Sequence, residues 1–206
     1  MPKRGMESVR RQQLIAATLS TIHESGFDRV TLSRVARRAG ISPGLVPHYF
    51  RDKRGLLAAT MRHIADELRH EVARHHAPAS GPRERLAMTL NANFSPSTYT
   101  PELVSAWLAF WGQAHHDPEL RRLQRVLRRR LTSNLVHDLR HLLPDADARR
   151  IGRGLSAFID GLSLRHALGE VGLDRAAALA HAHEFLDTHL ATAPARGEED
   201  SDAHTS

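Results

Sequence analysis

The sequence predicts an all-α fold, an N-terminal three-helix head followed by a larger helical body, and three observations carry that prediction. Apolar residues recur at spacings of three and four along most of the chain, the period of one face of a helix. Val, Ile and aromatic residues are too sparse, and alternating apolar patterns too rare, for a sheet. Residues 31–57, TLSRVARRAGISPGLVPHYFRDKRGLL, read as two short helices hinged at a glycine and followed by a third that begins at a lysine. A chain of 206 residues is long enough to bury a full core in one or two domains.

The first helix is expected over 8–25, with Ile15, Leu19 and Ile22 on one stripe and Gly26 just past its end. Thr31 caps the second, its hydroxyl placed to accept from an orphan amide of the first turn. Leu32, Val35, Ala36 and Ala39 make the apolar stripe of that helix, and Arg34, Arg37 and Arg38 lie off it. Gly40 supplies the left-handed residue that ends it, and Ile41 packs under the turn. Ser42 and Pro43 form the next start signal, a capping hydroxyl with proline at the first helical position. Val46 and Phe50 face the core, which leaves Gly44, Leu45, Pro47, His48 and Tyr49 to the outward face and its flanks. Asp52 caps a long helix carrying Leu57, Met61, Ile64, Leu68 and Val72 on one stripe. The stretch APASGP, residues 77–82, is the clearest break. Helices are then expected over 83–93, from the loop 95–101 to about His116, and over 118–143, 147–169 and 174–191. An acidic, small and polar tail over 192–206 is expected to be disordered.

The head has the pattern of a helix-turn-helix, with a motif over 31–50 whose second helix would enter the major groove of DNA. Charge supports this independently. Residues 1–55 hold eleven Lys and Arg against four Asp and Glu, a balance of +7, while the remainder holds eighteen against nineteen. The excess is therefore confined to the head, the footprint of a phosphate-backbone binder; a coding bias towards arginine would spread it evenly. The division expected is a DNA-binding domain over 8–68 and a ligand-binding and dimerisation domain over 69–191.

The last two helices carry a sign of association. Ile151, Leu155, Phe158, Ile159 and Leu162 form one stripe, and Ser156, Asp160, Ser163 and Ala167, joined by Gly152 and Gly161, form an opposite face of mostly small side chains. A helix with two buriable faces usually has two packing partners, here its own domain and a second subunit across a two-fold axis. A solvated second face is the alternative.

These residues resemble a known family. Residues 31–57 are similar to the head of TetR-type transcriptional repressors, and residues 1–190 resemble the BetI subgroup, choline-responsive repressors of glycine-betaine synthesis genes. The subgroup resemblance rests on MPKRGMESVRRQQLI, HYFRDKRGLLAATMR, AWLAFW, RRLTSNL and IDGLSLR, in that order along the chain. It implies a homodimer on palindromic operator DNA, no cofactor, and a small-molecule effector, choline or betaine aldehyde, bound in the body. Carried over by position, Thr31, Tyr49 and Lys53 would contact phosphates, and Ser42, Gly44, Leu45, Pro47 and His48 would lie near bases. For Lys53 the physical reading agrees: it follows the Asp52 cap, beside amides that themselves point at phosphate. Two departures stand out. Pro47 sits where the subgroup usually has a polar residue, so an amide donor is lost and the helix is distorted locally. Ser163 stands where the subgroup tends to have tryptophan, which implies a roomier or wetter pocket.

For the effector, Trp107 and Trp111 lie four apart, on one helix face, with Phe110 between them. A quaternary ammonium is recognised by aromatic faces together with a carboxylate. Asp160 is the candidate anion, Asn91 or Asn93 can meet a hydroxyl, and Phe94 and Tyr99 can close over the indoles. An aromatic pair at this spacing is equally what a plain core shows, and Asp160 equally suits solvent or a dimer interface. A repressor of efflux genes sensing a bulky lipophilic compound is the rival within the family.

Other chemistries lack their motifs. There is no phosphate-binding glycine loop, nucleophile elbow or cysteine, which argues against an enzyme. Fifteen histidines invite a metal site, but 75 with 76 and 115 with 116 are adjacent and point about 100° apart on a helix, so no metal is expected. The run Arg128, Arg129 and Arg130 splays around the helix and reads as a solvated face. No apolar run approaches the roughly 18 residues of a membrane span, and residues 1–13 lack an apolar signal core, so a cytoplasmic protein is expected.

Overall fold

The computed structural model describes residues 3–75 and 81–193, and every regular element among them is helical. The order is α1 (Lys3–Ser25), a 3-10 turn (Phe27–Arg29), α2 (Leu32–Arg38), a 3-10 helix (Pro43–His48), α3 (Lys53–His75), α4 (Pro82–Asn93), α5 (Pro101–His116), α6 (Pro118–Leu139), α7 (Asp145–Ala167) and α8 (Arg175–Thr192). No helix among the described residues is long and apolar enough to cross a membrane. Most of the expected break at 77–82, and all but the first two residues of the expected tail over 192–206, lie outside the described residues; Thr192 of that tail belongs to the last helix.

The chain forms two compact units, one of residues up to Glu67 with Thr100–Gln124, the other of Leu68–Tyr99 with the residues from Arg125 on. The expected domain over 69–191 does not anticipate that Thr100–Gln124 sides with the head. The reason is α1, which packs along α5 as well as against α2. His23 Nδ1 lies 3.0 Å from Ser105 Oγ, and Arg54 donates to Asp117 at 3.1 Å.

In the first unit Leu14, Ile15, Ile22, Val35, Val46, Phe50, Leu57, Met61, Val104 and Phe110 are buried, whereas Leu19 and Leu32 of the expected stripes are only half-buried. α1 begins earlier than the expected Ser8, because nothing between Lys3 and Ser8 breaks a helix apart from Gly5, whose cost is about 1 kcal/mol. The turn after α2 follows the sequence closely. Thr31 Oγ1 accepts from the Arg34 amide at 3.1 Å. Gly40 has φ of 67°, which lets the Gly40 and Ile41 amides reach back to the Arg37 and Ala36 carbonyls while Ile41 is buried.

The next element departs from expectation. Residues Pro43–His48 form a 3-10 helix, and Ser42 makes no side-chain capping bond. Pro47 explains it: with no N–H, and with a ring that would clash with the carbonyl four residues back, it cannot sit inside an α-helix without breaking it. Asp52 caps as expected, its Oδ1 accepting from the Gly55 amide at 2.7 Å.

In the second unit α8 packs on α7 and α4. Arg175 donates to the Phe94 carbonyl at 3.0 Å, satisfying a group left over at the end of α4. α6 stops at Leu139, short of the expected 143, and the chain tightens there, the His141 and Leu142 amides donating to the Asp138 and Leu139 carbonyls at 3.1 and 2.9 Å ahead of Pro144. Asp174 caps α8 by accepting from the Ala177 amide at 2.8 Å. Part of the supposed association face is already used within the chain. A Cβ on Gly152 would meet Val136 Cγ2 at 2.6 Å, so the missing side chain is what brings α7 onto α6. Ser156 is buried as well, whereas a Cβ on Gly161 would meet nothing within 4 Å.

Candidate nucleic-acid interface and effector residues

All eight residues expected at DNA belong to the first unit, and the turn at Gly40 sets how they are displayed. Val46 and Phe50 anchor the 3-10 helix in the core, and Ser42, Gly44, Leu45, Pro47 and His48 are exposed around them. Thr31 is exposed and Tyr49 half-buried. Arg34, Arg37 and Arg51, which sequence reasoning left off the contact list, are exposed on the same unit. Arg38 is occupied by a bidentate pair with Glu24, whose carboxyl it holds below its ordinary value through that hydrogen bond. Lys53 carries a feature the sequence does not signal. Its ammonium donates to the Asp28 carbonyl at 3.1 Å and lies 4.2 Å from the centre of the Phe27 ring. Phe27 and Asp28 are distant in sequence, and only the fold brings them to the start of α3.

The residues expected at the effector divide between the units. Trp107, Phe110 and Trp111 lie on α5 in the first. The indole centres are 5.9 Å apart at an interplanar angle of 34°, and the Phe110 ring meets Trp107 edge-on at 6.0 Å. Phe110 is fully buried and belongs to the core, while both indoles are half-buried.

Asn93, Phe94 and Asp160 lie in the second unit. The rings of Phe94 and Tyr99, the candidates to close over the indoles, pair with each other at 5.1 Å, and the Tyr99 ring lies 4.9 Å from that of His166 at an interplanar angle of 34°. Phe94 is fully buried. The Asn93 amide donates to the Thr89 carbonyl at 2.8 Å, and Asn91 Oδ1 lies 3.0 Å from His183 Nε2, so both already hold partners. Burial pushes the Asp160 carboxyl up to about 6, with Arg128 pulling the other way. Burial also raises the Tyr99 phenol, opposed by a hydrogen bond with Ser163, and the phenol donates to the Leu162 carbonyl at 3.4 Å. Asp160 and Ser163 are three apart on α7, neighbours on its surface. His166 was missed from sequence because its partners, Tyr99 and the Leu173 carbonyl at 2.9 Å, are set by tertiary structure. No three His, Asp or Glu side chains gather into a metal-holding group among the described residues.

Comparison with known proteins bears on both parts. Residues 14–60 match the family model of bacterial regulatory proteins of the tetR family, and residues 82–191 match that of the BetI-type transcriptional repressor, C-terminal. The chain is 50% identical over 192 residues to the HTH-type transcriptional regulator BetI of Burkholderia thailandensis, covering 93% of this chain and 98% of that one. It is 47% identical over 194 residues to the Escherichia coli protein of the same name, covering 93% and 100%. In fold it is similar to a transcriptional regulator from Saccharomonospora viridis solved in complex with choline, with a TM-score of 0.75 at 23% identity over 87% of this chain and 96% of that one.

Proposed function

Because the chain belongs to the BetI-type transcriptional repressors of the TetR family, we propose that it represses genes of choline uptake and glycine-betaine synthesis and that choline relieves the repression. Regulators of this family bind operator DNA, act as dimers and respond to small molecules; they are not enzymes and need no cofactor. The observation that carries the choline reading is the 50% identity to BetI regulators over nearly their whole length. The chemistry of the second unit supports it. A half-buried carboxyl such as Asp160, raised to about 6, gains from a cation beside it, and a quaternary ammonium favours an aromatic face such as that of Tyr99 in the same unit.

Thr31, Tyr49 and Lys53 are the proposed phosphate contacts, and Ser42, Gly44, Leu45, Pro47 and His48 the residues facing bases. Dimerisation is proposed through α7 and α8, which hold the half-buried Phe158–Phe185 stack at 4.9 Å and Gly161, where a Cβ would meet nothing within 4 Å. Effector binding regulates only through a difference in affinity between two head spacings, commonly 1–3 kcal/mol in such systems. α3 and α6, which both units share, are the candidate levers.

A thermal-shift panel of choline, betaine aldehyde, glycine betaine and lipophilic drugs tests the effector. Choline or betaine aldehyde should raise the melting temperature and release a betaine-gene operator; a response to lipophilic compounds alone would make the chain an efflux-type regulator. Trp107→Ala, Trp111→Ala and Tyr99→Ala then assign the aromatic contact, since the true one weakens the choline response and leaves ligand-free operator affinity nearly intact.

A further inference from the structure

The outward residues of the 3-10 helix have little hydrogen-bonding chemistry for a surface that reads bases. Across Pro43–His48 the exposed positions are Pro43, Gly44, Leu45, Pro47 and His48. Guanine and adenine edges are read in the major groove chiefly by bidentate Arg, Lys, Asn or Gln, and this element has none. Its prolines also remove two backbone donors. What it offers is apolar: Leu45, 36% exposed, and the Pro47 ring two residues on. The base feature that an apolar side chain reads is the 5-methyl group of thymine.

Gly44 is an independent observation. Its φ is not in the left-handed region, and a Cβ built on it would meet only Ser42 Oγ, at 3.9 Å, an ordinary contact. Neither the backbone nor the packing of the protein calls for glycine there. The bare position beside Leu45 is surface on which a partner can come close to the main chain.

We propose that this repressor reads its operator through thymine methyl groups seated against Leu45 and Pro47, with the duplex closest at Gly44 and the His48 imidazole hydrogen-bonding an adjacent base. The inference rests on DNA binding by the family and adds the base chemistry of the readout.

The full-length protein is used to select duplexes from a random pool, and each thymine of the selected duplex is then replaced by deoxyuridine, which removes only the methyl. One or two thymines per half-site should each lose about fourfold in affinity, the factor that ~0.8 kcal/mol for a methylene-sized group converts to. Leu45→Ala should bind the parent duplex more weakly and become indifferent to deoxyuridine at one of those positions, and Pro47→Ala at another, with the salt slope unchanged in both. Gly44→Ala should melt like wild type and still lose the selected duplex. Deoxyuridine duplexes that all bind like the parent, variants that keep the full methyl penalty, or a pool that enriches no sequence would overturn the proposal. Binding to an unselected duplex at low salt is measured alongside: if it persists, only the methyl readout has failed, and if it is absent, DNA binding has failed with it.

Discussion

Lys53 is held before any phosphate reaches it. Its ammonium is shared between the Asp28 carbonyl at 3.1 Å and the Phe27 ring, so a DNA contact must be made with a side chain already ordered on its own unit. Less rotamer freedom is then left to lose on binding. Lys53→Ala should weaken binding on all sequences alike and lower the slope of log K against log salt by about 0.9, the share of one phosphate; an unchanged slope removes Lys53 from the contact. Asp160 makes a pH prediction. Its folded value of about 6 stands above the ordinary 3.8 because burial disfavours the charge, so the folded chain holds the proton more tightly than the unfolded one. The stability it contributes is full below pH 3.8 and lost as pH rises through about 6. Asp160→Asn should therefore match wild type in acid and exceed it in neutral solution by denaturant unfolding. If Asp160 faces choline, affinity should rise with pH through the same range in wild type and stay flat in Asp160→Asn, measured by calorimetric titration.

At the scale of elements, one residue type acts in two opposite ways. Pro43 suits the start of the recognition element, whereas Pro47 inside it forces 3-10 winding. The glycines of α7 differ in the same manner. Gly152 sits where a Cβ would stand 2.6 Å from Val136 Cγ2, but Gly161 has open space around it. Gly152→Ala should destabilise the fold by about 1–3 kcal/mol through overpacking of α6 on α7. In the isolated chain Gly161→Ala should instead be neutral or stabilising by up to about 1 kcal/mol, the usual helix gain. Chemical denaturation of both variants checks the contrast; equal effects would mean that α6 moves aside.

For the whole molecule, the +7 of residues 1–55 against the near-neutral remainder puts the phosphate-directed charge at one end of the chain, and the proposed association lies at the other. Two heads on a two-fold axis read half-sites about one helical turn, or a small multiple, apart. Gly161→Arg puts a long charged side chain into space that the chain itself leaves empty. It should fold normally by circular dichroism, sediment as a monomer at micromolar concentration and lose palindromic operator affinity. A dimer that survives this change would move the interface off that face of α7.

Whatever depends on neighbours along the chain was legible in its residues: the helices, the Thr31 and Asp52 caps, the Gly40 turn and the charge of the head. These are set within four or five residues, by hydrogen bonds and backbone sterics that local spacing encodes. Pro47 was legible as a local distortion of an α-helix, but not as 3-10 winding over the whole of Pro43–His48. Tertiary structure alone decided that Thr100–Gln124 joins the head, that Lys53 rests on Phe27, that Tyr99 pairs with Phe94 and His166, and that Gly152 serves packing inside the chain. Each of these depends on which apolar faces meet across distant segments. Burial is non-directional, so a stripe of Leu, Ile or Trp announces that it will be covered without saying by what.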